Sequence, residues 1–154
     1  MNNNVIKAIV TAVTGFLSSI LGILYVPVLL MVACNLIDYI TGLVAAKYRT
    51  DGGISSYKSM KGITKKVMMW LLVVVGAIID QVLAYASATL GFAMPFTFLV
   101  ACIVAIWIIC NEIISILENM IDIGVEILGF LLPLVKSIKR QAEGATGIEE
   151  NKEE

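Results

Sequence analysis

The chain contains no histidine. That removes the commonest general base, metal ligand and pH switch. Charge is scarce too: Asp, Glu, Lys and Arg make up 15% of the 154 residues, against about 25% in an average soluble domain. The net charge of −1 indicates no polyelectrolyte partner, and nucleic acid binding has no support beyond one short basic segment. Cysteine is limited to Cys34, Cys102 and Cys110. Their number is odd, their spacing fits no zinc site, and each lies in an apolar run, so they read as small buried hydrophobes. Met31-Val32-Ala33-Cys34 faintly resembles a lipoprotein cleavage site, but a lipid at Cys34 would leave very apolar segments downstream with no soluble fate. Gly52-Gly53 is a turn signal without the strand that a phosphate-cradling loop needs. Asp38, Asp80, Glu112 and Glu118 belong to different depths or faces, and no nucleophile or metal-ligand set accompanies them. The sequence argues against an enzyme and calls for no cofactor or metal.

What the chain has in quantity is apolar surface: 59% of residues are hydrophobic and the mean hydropathy is +0.93. The expected fold class is an all-α integral membrane protein. Three helices are expected to cross the bilayer, at 27–46, 67–89 and 96–112. A helix of 20 residues rises about 30 Å, the thickness of a bilayer core. Pro27 suits a helix start, and Gly91 to Pro95 divides a stretch too long for one span. Residues 5–24 carry a polar stripe at Asn4, Lys7, Thr11, Thr14 and Ser18. This segment is either a fourth span or an amphipathic helix in the interface. A removed signal peptide is not favoured, because no small-residue cleavage site precedes Tyr25.

Residues 47–66 form the strongly basic segment of the interior. Lys47, Arg49, Lys58, Lys61, Lys65 and Lys66 face one acid, Asp51. A short loop of this kind is costly to translocate. It predicts a cytoplasmic loop, a C-terminus on the same side, and residues 91–94 outside. In a soluble protein the same residues would be a solvated inter-helix loop, but the flanks are too long and too apolar for that.

Each span carries a stripe that lipid disfavours. In the first it is Asn35, Asp38, Thr41, Gly42 and Ala45, where Gly42 and Ala46 also permit close helix approach. In the second it is Gly76, Ala77, Asp80, Gln81, Ala84 and Ser87. In the third, Ala101 and Ala105 lead to Glu112 and Ser115. A carboxylate within a span turns toward protein or water. Asp38 therefore either meets a loop lysine or backbone donor near the inner interface, or serves oligomer contact or a pore lining. Asn35, Asp38, Thr41, Gly42, Asp80, Gln81, Glu112, Ser115, Glu118 and Asn119 are the candidates for assembly or pore lining. Asp80 is expected to face neighbours or water once assembled; the alternative is a hydrogen-bond network within one subunit.

From 113 to 140 the pattern is amphipathic. Gly124, Gly129 and Pro133 oppose one long straight helix, so a helix leaving the membrane and a second segment on the cytoplasmic surface are expected. Lys136, Lys139 and Arg140 would meet anionic headgroups there, unless the segment packs on a partner domain. Residues 141–154 read as a disordered acidic tail.

Three pieces in order resemble the toxin secretion/phage lysis holins. They are Asp38-Tyr39-Ile40-Thr41-Gly42; then Ser55-Ser56 with Lys58, Lys61-Gly62 and Lys65-Lys66; then Ser115-Ile116-Leu117-Glu118-Asn119 with Ile123-Gly124 and Pro133. The resemblance covers roughly residues 25–135. It implies a protein that accumulates in the bacterial cytoplasmic membrane, forms homo-oligomers in the lipid bilayer and opens lesions. An endolysin or toxin would then be released as cargo rather than held as a stable partner. The acidic tail departs from the mixed or basic tails common in that family. The competing readings are a small channel or transporter with Asp38 and Asp80 as permanent ion sites, and a non-conducting membrane scaffold.

Overall fold

A computed structural model describes residues 3–48, 56–91 and 99–145. Every regular element among the described residues is helical: α1 (Asn3–Leu21), a 3-10 turn (Gly22–Leu24), α2 (Tyr25–Tyr48), α3 (Ser56–Leu90), α4 (Leu99–Ile123) and α5 (Leu131–Gly144). Among the described residues, three stretches are long and apolar enough to cross a membrane, Gly22–Tyr48, Met60–Leu90 and Val100–Ile123. The all-α, three-span expectation agrees with this.

Local chemistry sets the breaks. Gly22 adopts φ +51° between α1 and α2, a left-handed conformation that a residue with a Cβ resists. Pro27 lies in the first turn of α2, where a missing N–H has no intrahelical partner to lose. At the end of α4, Gly124 has φ +94°. Its N–H reaches the Ile121 carbonyl at 2.9 Å and the Val125 N–H reaches the Met120 carbonyl at 3.0 Å. That pair of bonds satisfies two terminal carbonyls and stops the helix.

Several boundaries differ from the sequence expectation. Residues 56–66 are helical and begin α3, while Lys47 lies in the last turn of α2. The basic segment is therefore mostly helix rather than loop, because Lys and Met propagate a helix that the apolar run beyond them already nucleates. Lys58, Lys61, Lys65 and Lys66 are on α3; Arg49 lies outside the described residues. The helix of the third span continues past Glu112, as the expected helix leaving the membrane does. α4 runs unbroken to Ile123, since its buried face continues through Ile116, Leu117 and Asn119. The region 113–140 is thus the end of α4, a connection and α5. Gln141–Gly144 closes α5, and the acidic residues after 145 lie outside the described residues, as does Pro95.

α4 is the central helix. α2, α3 and α5 all pack on it, while α2 and α3 touch each other little. Side-chain partners show that α3 and α5 run antiparallel to α4, whereas α2 runs parallel to it. Asp80 meets the start of α4 and Lys66 its middle. Met31 packs with Ala105, whereas Asp38 meets Asn119. Val135 packs with Leu117, and Glu143 reaches Trp107. α4 can be central because Ala101 and Ala105 are small and fully buried. The outer faces are apolar and bare: Leu36, Ile40, Leu71, Val74, Ile78 and Val82 are all exposed. A water-soluble surface rarely carries such a continuous apolar area, whereas a bilayer solvates it.

Candidate functional site

Charged groups from three helices converge at the middle of α4. The Lys66 ammonium donates to Asp38 Oδ2 at 2.8 Å and to Glu112 Oε2. Asn119 Nδ2 donates to the other Asp38 oxygen at 3.1 Å and to Thr41 Oγ1 at 3.3 Å, and Thr41 Oγ1 donates to the Asp38 carbonyl at 3.1 Å. All three charged side chains are well covered, Lys66 at 20% exposure, Asp38 at 14% and Glu112 at 7%. One ammonium thus serves two carboxylates and ties α2 and α3 to α4. Gathering the charges satisfies each of them, which is how ionisable groups persist among apolar helices.

The network opens onto a cleft of about 440 Å³ lined by Lys65, Trp107, Asn111, Ser115 and Glu118 as well as the triad. Asn111 Nδ2 is buried there with no hydrogen-bond partner among the described residues. Glu118 is exposed and Ser115 half-buried. Asn35 lies deeper in the first span. Its Nδ2 donates to the Met31 carbonyl at 2.7 Å, while its oxygen is buried without a described partner.

Asp80 stands apart. Its two carboxylate oxygens accept the backbone N–H groups of Val100 and Ala101, both at 2.9 Å. A helix start leaves its first N–H groups unsatisfied and carries partial positive charge. Asp80 supplies from α3 the cap that α4 receives. Within one chain it therefore points inward rather than toward neighbours or water. Its neighbour Gln81 is exposed, as is Ala84, so the small polar stripe of α3 divides between the α4 contact and the outer face. Asp80→Asn should cost about 1 kcal/mol, because the amide oxygen keeps one of the two N–H groups while its NH2 cannot accept the other. Asp80→Leu should cost about 1–3 kcal/mol, because it strands two buried donors. Thermal unfolding in detergent followed by helical circular dichroism measures both; equal midpoints for Asp80→Leu and the unsubstituted protein would remove the cap from the account.

Of the sequence candidates, the structure joins Asp38, Thr41, Glu112 and Asn119 in one network and sets Gly42 beside it. An added Cβ at Gly42 would stand 3.6 Å from Asn119 Nδ2. Asp38 takes the reading in which it meets a basic-segment lysine. The sequence leaves open which lysine meets Asp38 and does not single out Lys66. The place of Lys66 as the last charge before the apolar part of α3 was the signal that it shares a depth with Asp38 and Glu112. Among the described residues no cluster of His, Cys, Asp and Glu could hold a metal ion.

A three-span helical protein with exposed apolar faces and an internal charged network is a multi-pass membrane protein. The bacteriophage holin family model matches residues 15–140, and the chain belongs to that family, which is a non-enzymatic one. Its relatives include an uncharacterized protein of Listeria monocytogenes, 37% identical over 58% of this chain and 55% of the relative. Another uncharacterized protein, from Halalkalibacterium halodurans, is 36% identical over 68% of this chain and 66% of its own length. A third, from Clostridium perfringens, is 26% identical over 75% of this chain and 76% of its length. The chain spans little more than half the length of the Listeria relative. No solved structure gives a significant match.

Proposed function

We propose that the protein is a working holin: it accumulates in the cytoplasmic membrane, assembles with copies of itself and opens lesions that depolarise the cell and release an endolysin or toxin. The observation that carries this reading is the Lys66–Asp38–Glu112 network inside an otherwise apolar helical unit of the holin family. Closed within one subunit, the network hides its charge from lipid. Rearranged between subunits, the same carboxylates, with Thr41, Ser115, Glu118 and Asn119, supply the polar lining that a water-filled lesion needs. Asn35, Gly42, Asp80 and Gln81 serve helix contact in this reading. The basic residues Lys47, Arg49, Lys58, Lys61, Lys65 and Lys66 keep their side of the protein in the cytoplasm.

Co-expression with a cytoplasmic muralytic enzyme tests the reading. After a delay, membrane potential should collapse abruptly and the enzyme should reach the cell wall. Steady ion flux without enzyme release would instead identify a channel or transporter, and unaffected cells would identify a scaffold. In the same cells, an impermeant thiol reagent applied to intact protoplasts should leave a Cys placed at Ser56, in a chain lacking its own cysteines, unlabelled.

A further inference from the structure

α5 folds back along α4. Its anchors are few. Val135 is its one buried side chain among the described residues, set against Cys110 and Leu117 of α4 with Leu131 and Leu132 beside it. At its far end the Trp107 indole N–H donates to Glu143 Oε1 at 2.8 Å, and the Lys139 ammonium sits 5.2 Å from the centre of the Trp107 ring. Its outer surface is mixed: Lys136 and Arg140 are exposed, and so are the apolar Leu134 and Ile138. The connection from α4 starts at Gly124 in a left-handed conformation. It presents Val125, Leu128 and Phe130 half-exposed or more.

These features describe a helix with two possible seats. An amphipathic helix with Lys and Arg on one face and Leu, Val and Ile on the other also binds a membrane surface carrying anionic headgroups. Val135, Leu131 and Leu132, now turned to α4, would enter that surface together with the already exposed Leu134 and Ile138 and the bare apolar side chains of the connection. Both seats cannot be filled at once, so whatever favours one empties the other.

We infer that α5 is a detachable clasp: docked, it covers the Cys110–Leu117 strip of α4, and anionic phospholipid draws it off onto the membrane surface and uncovers that strip. Lys136 and Arg140 are the headgroup contacts. Trp107, Lys139 and Glu143 form the catch that opposes release. The clasp is a property of α5 and α4 and does not depend on the protein being a holin. Its consequence for assembly rests on the holin reading, in which an uncovered α4 strip is available to a second copy.

The test uses the full chain with its three cysteines replaced by Ser and spin labels on Ile106→Cys of α4 and Gln141→Cys of α5, both exposed positions. In vesicles of phosphatidylcholine alone, one short interlabel distance is expected. In vesicles containing phosphatidylglycerol, a second population should appear, longer by about 15–20 Å, because the 14-residue α5 swings through about its own length. Lys136→Gln with Arg140→Gln should abolish that population, and Trp107→Phe or Glu143→Gln should enlarge it. An unchanged distance distribution in both lipids, or a lipid response that survives the Lys136 and Arg140 replacements, would overturn the clasp. No lysis enters this readout, so the clasp and the holin reading can fail separately.

Discussion

Lys66→Met should destabilise the protein by about 3–5 kcal/mol, the largest effect expected of any single substitution in the network. The reason is an asymmetry. Asp38 and Glu112 share one ammonium. With it gone, two carboxylates remain mostly buried with no cation between them, and like charges at such range repel. Asn119 still hydrogen-bonds the Asp38 carboxylate, but a neutral donor does not replace a cation. The triple substitution Asp38→Asn, Lys66→Met and Glu112→Gln should recover most of the loss, because a buried ion network replaced as a whole is often close to neutral in stability. Purified protein in detergent, unfolded by heat and followed by helical circular dichroism, gives the comparison. A Lys66→Met midpoint equal to that of the unsubstituted chain, or a triple variant as damaged as Lys66→Met, would show that the network does not join the helices.

The second large effect is at Gly76. A Cβ added there would lie 2.8 Å from the Ala101 Cα and 3.0 Å from the Ala101 nitrogen. Both are backbone atoms, so no side chain can swing aside, and α3 would have to retreat from α4. That retreat also pulls Asp80, one turn further along α3, away from the Val100 and Ala101 N–H groups it caps. Overpacking typically costs about 1–3 kcal/mol and the lost cap about 1–2 kcal/mol more. Gly76→Val should therefore lose about 2–5 kcal/mol. Gly42→Ala, whose Cβ meets only Asn119 Nδ2 at 3.6 Å, should stay within about 1 kcal/mol. Parallel thermal melts decide it, and Gly42→Ala proving the more damaging of the two would reverse the packing account.

The spans were legible because long apolar runs bounded by charge have few physical fates. The polar stripes were legible by helical spacing, and Asp38, Thr41, Glu112 and Asn119 were all named as candidates. Their pairing was not, because it depends on the relative depth of three helices, which spacing along one helix does not encode. Lys66 shows this best: as a topology signal it looked like its neighbours Lys61 and Lys65, yet only Lys66 reaches both acids. Gly42 was singled out for close approach because a small residue follows four positions later. The tight contact falls at Gly76, whose partner Ala101 lies on the next helix. Asp80 resisted for a similar reason: its ligands are backbone N–H groups, which leave no mark in a sequence. The fold-back of α5 was hidden because an amphipathic face does not say whether lipid or protein will cover it.

The central claim is that the Lys66–Asp38–Glu112 charges, closed within one subunit, become the polar lining of the assembled lesion. The most direct test is the onset of membrane-potential collapse in cells carrying the Asp38→Asn, Lys66→Met and Glu112→Gln triple variant, compared with the unsubstituted protein at matched amounts in the membrane. The account predicts that the triple variant inserts and folds yet collapses the potential much later or not at all. A collapse with unchanged timing and unchanged enzyme release would contradict it.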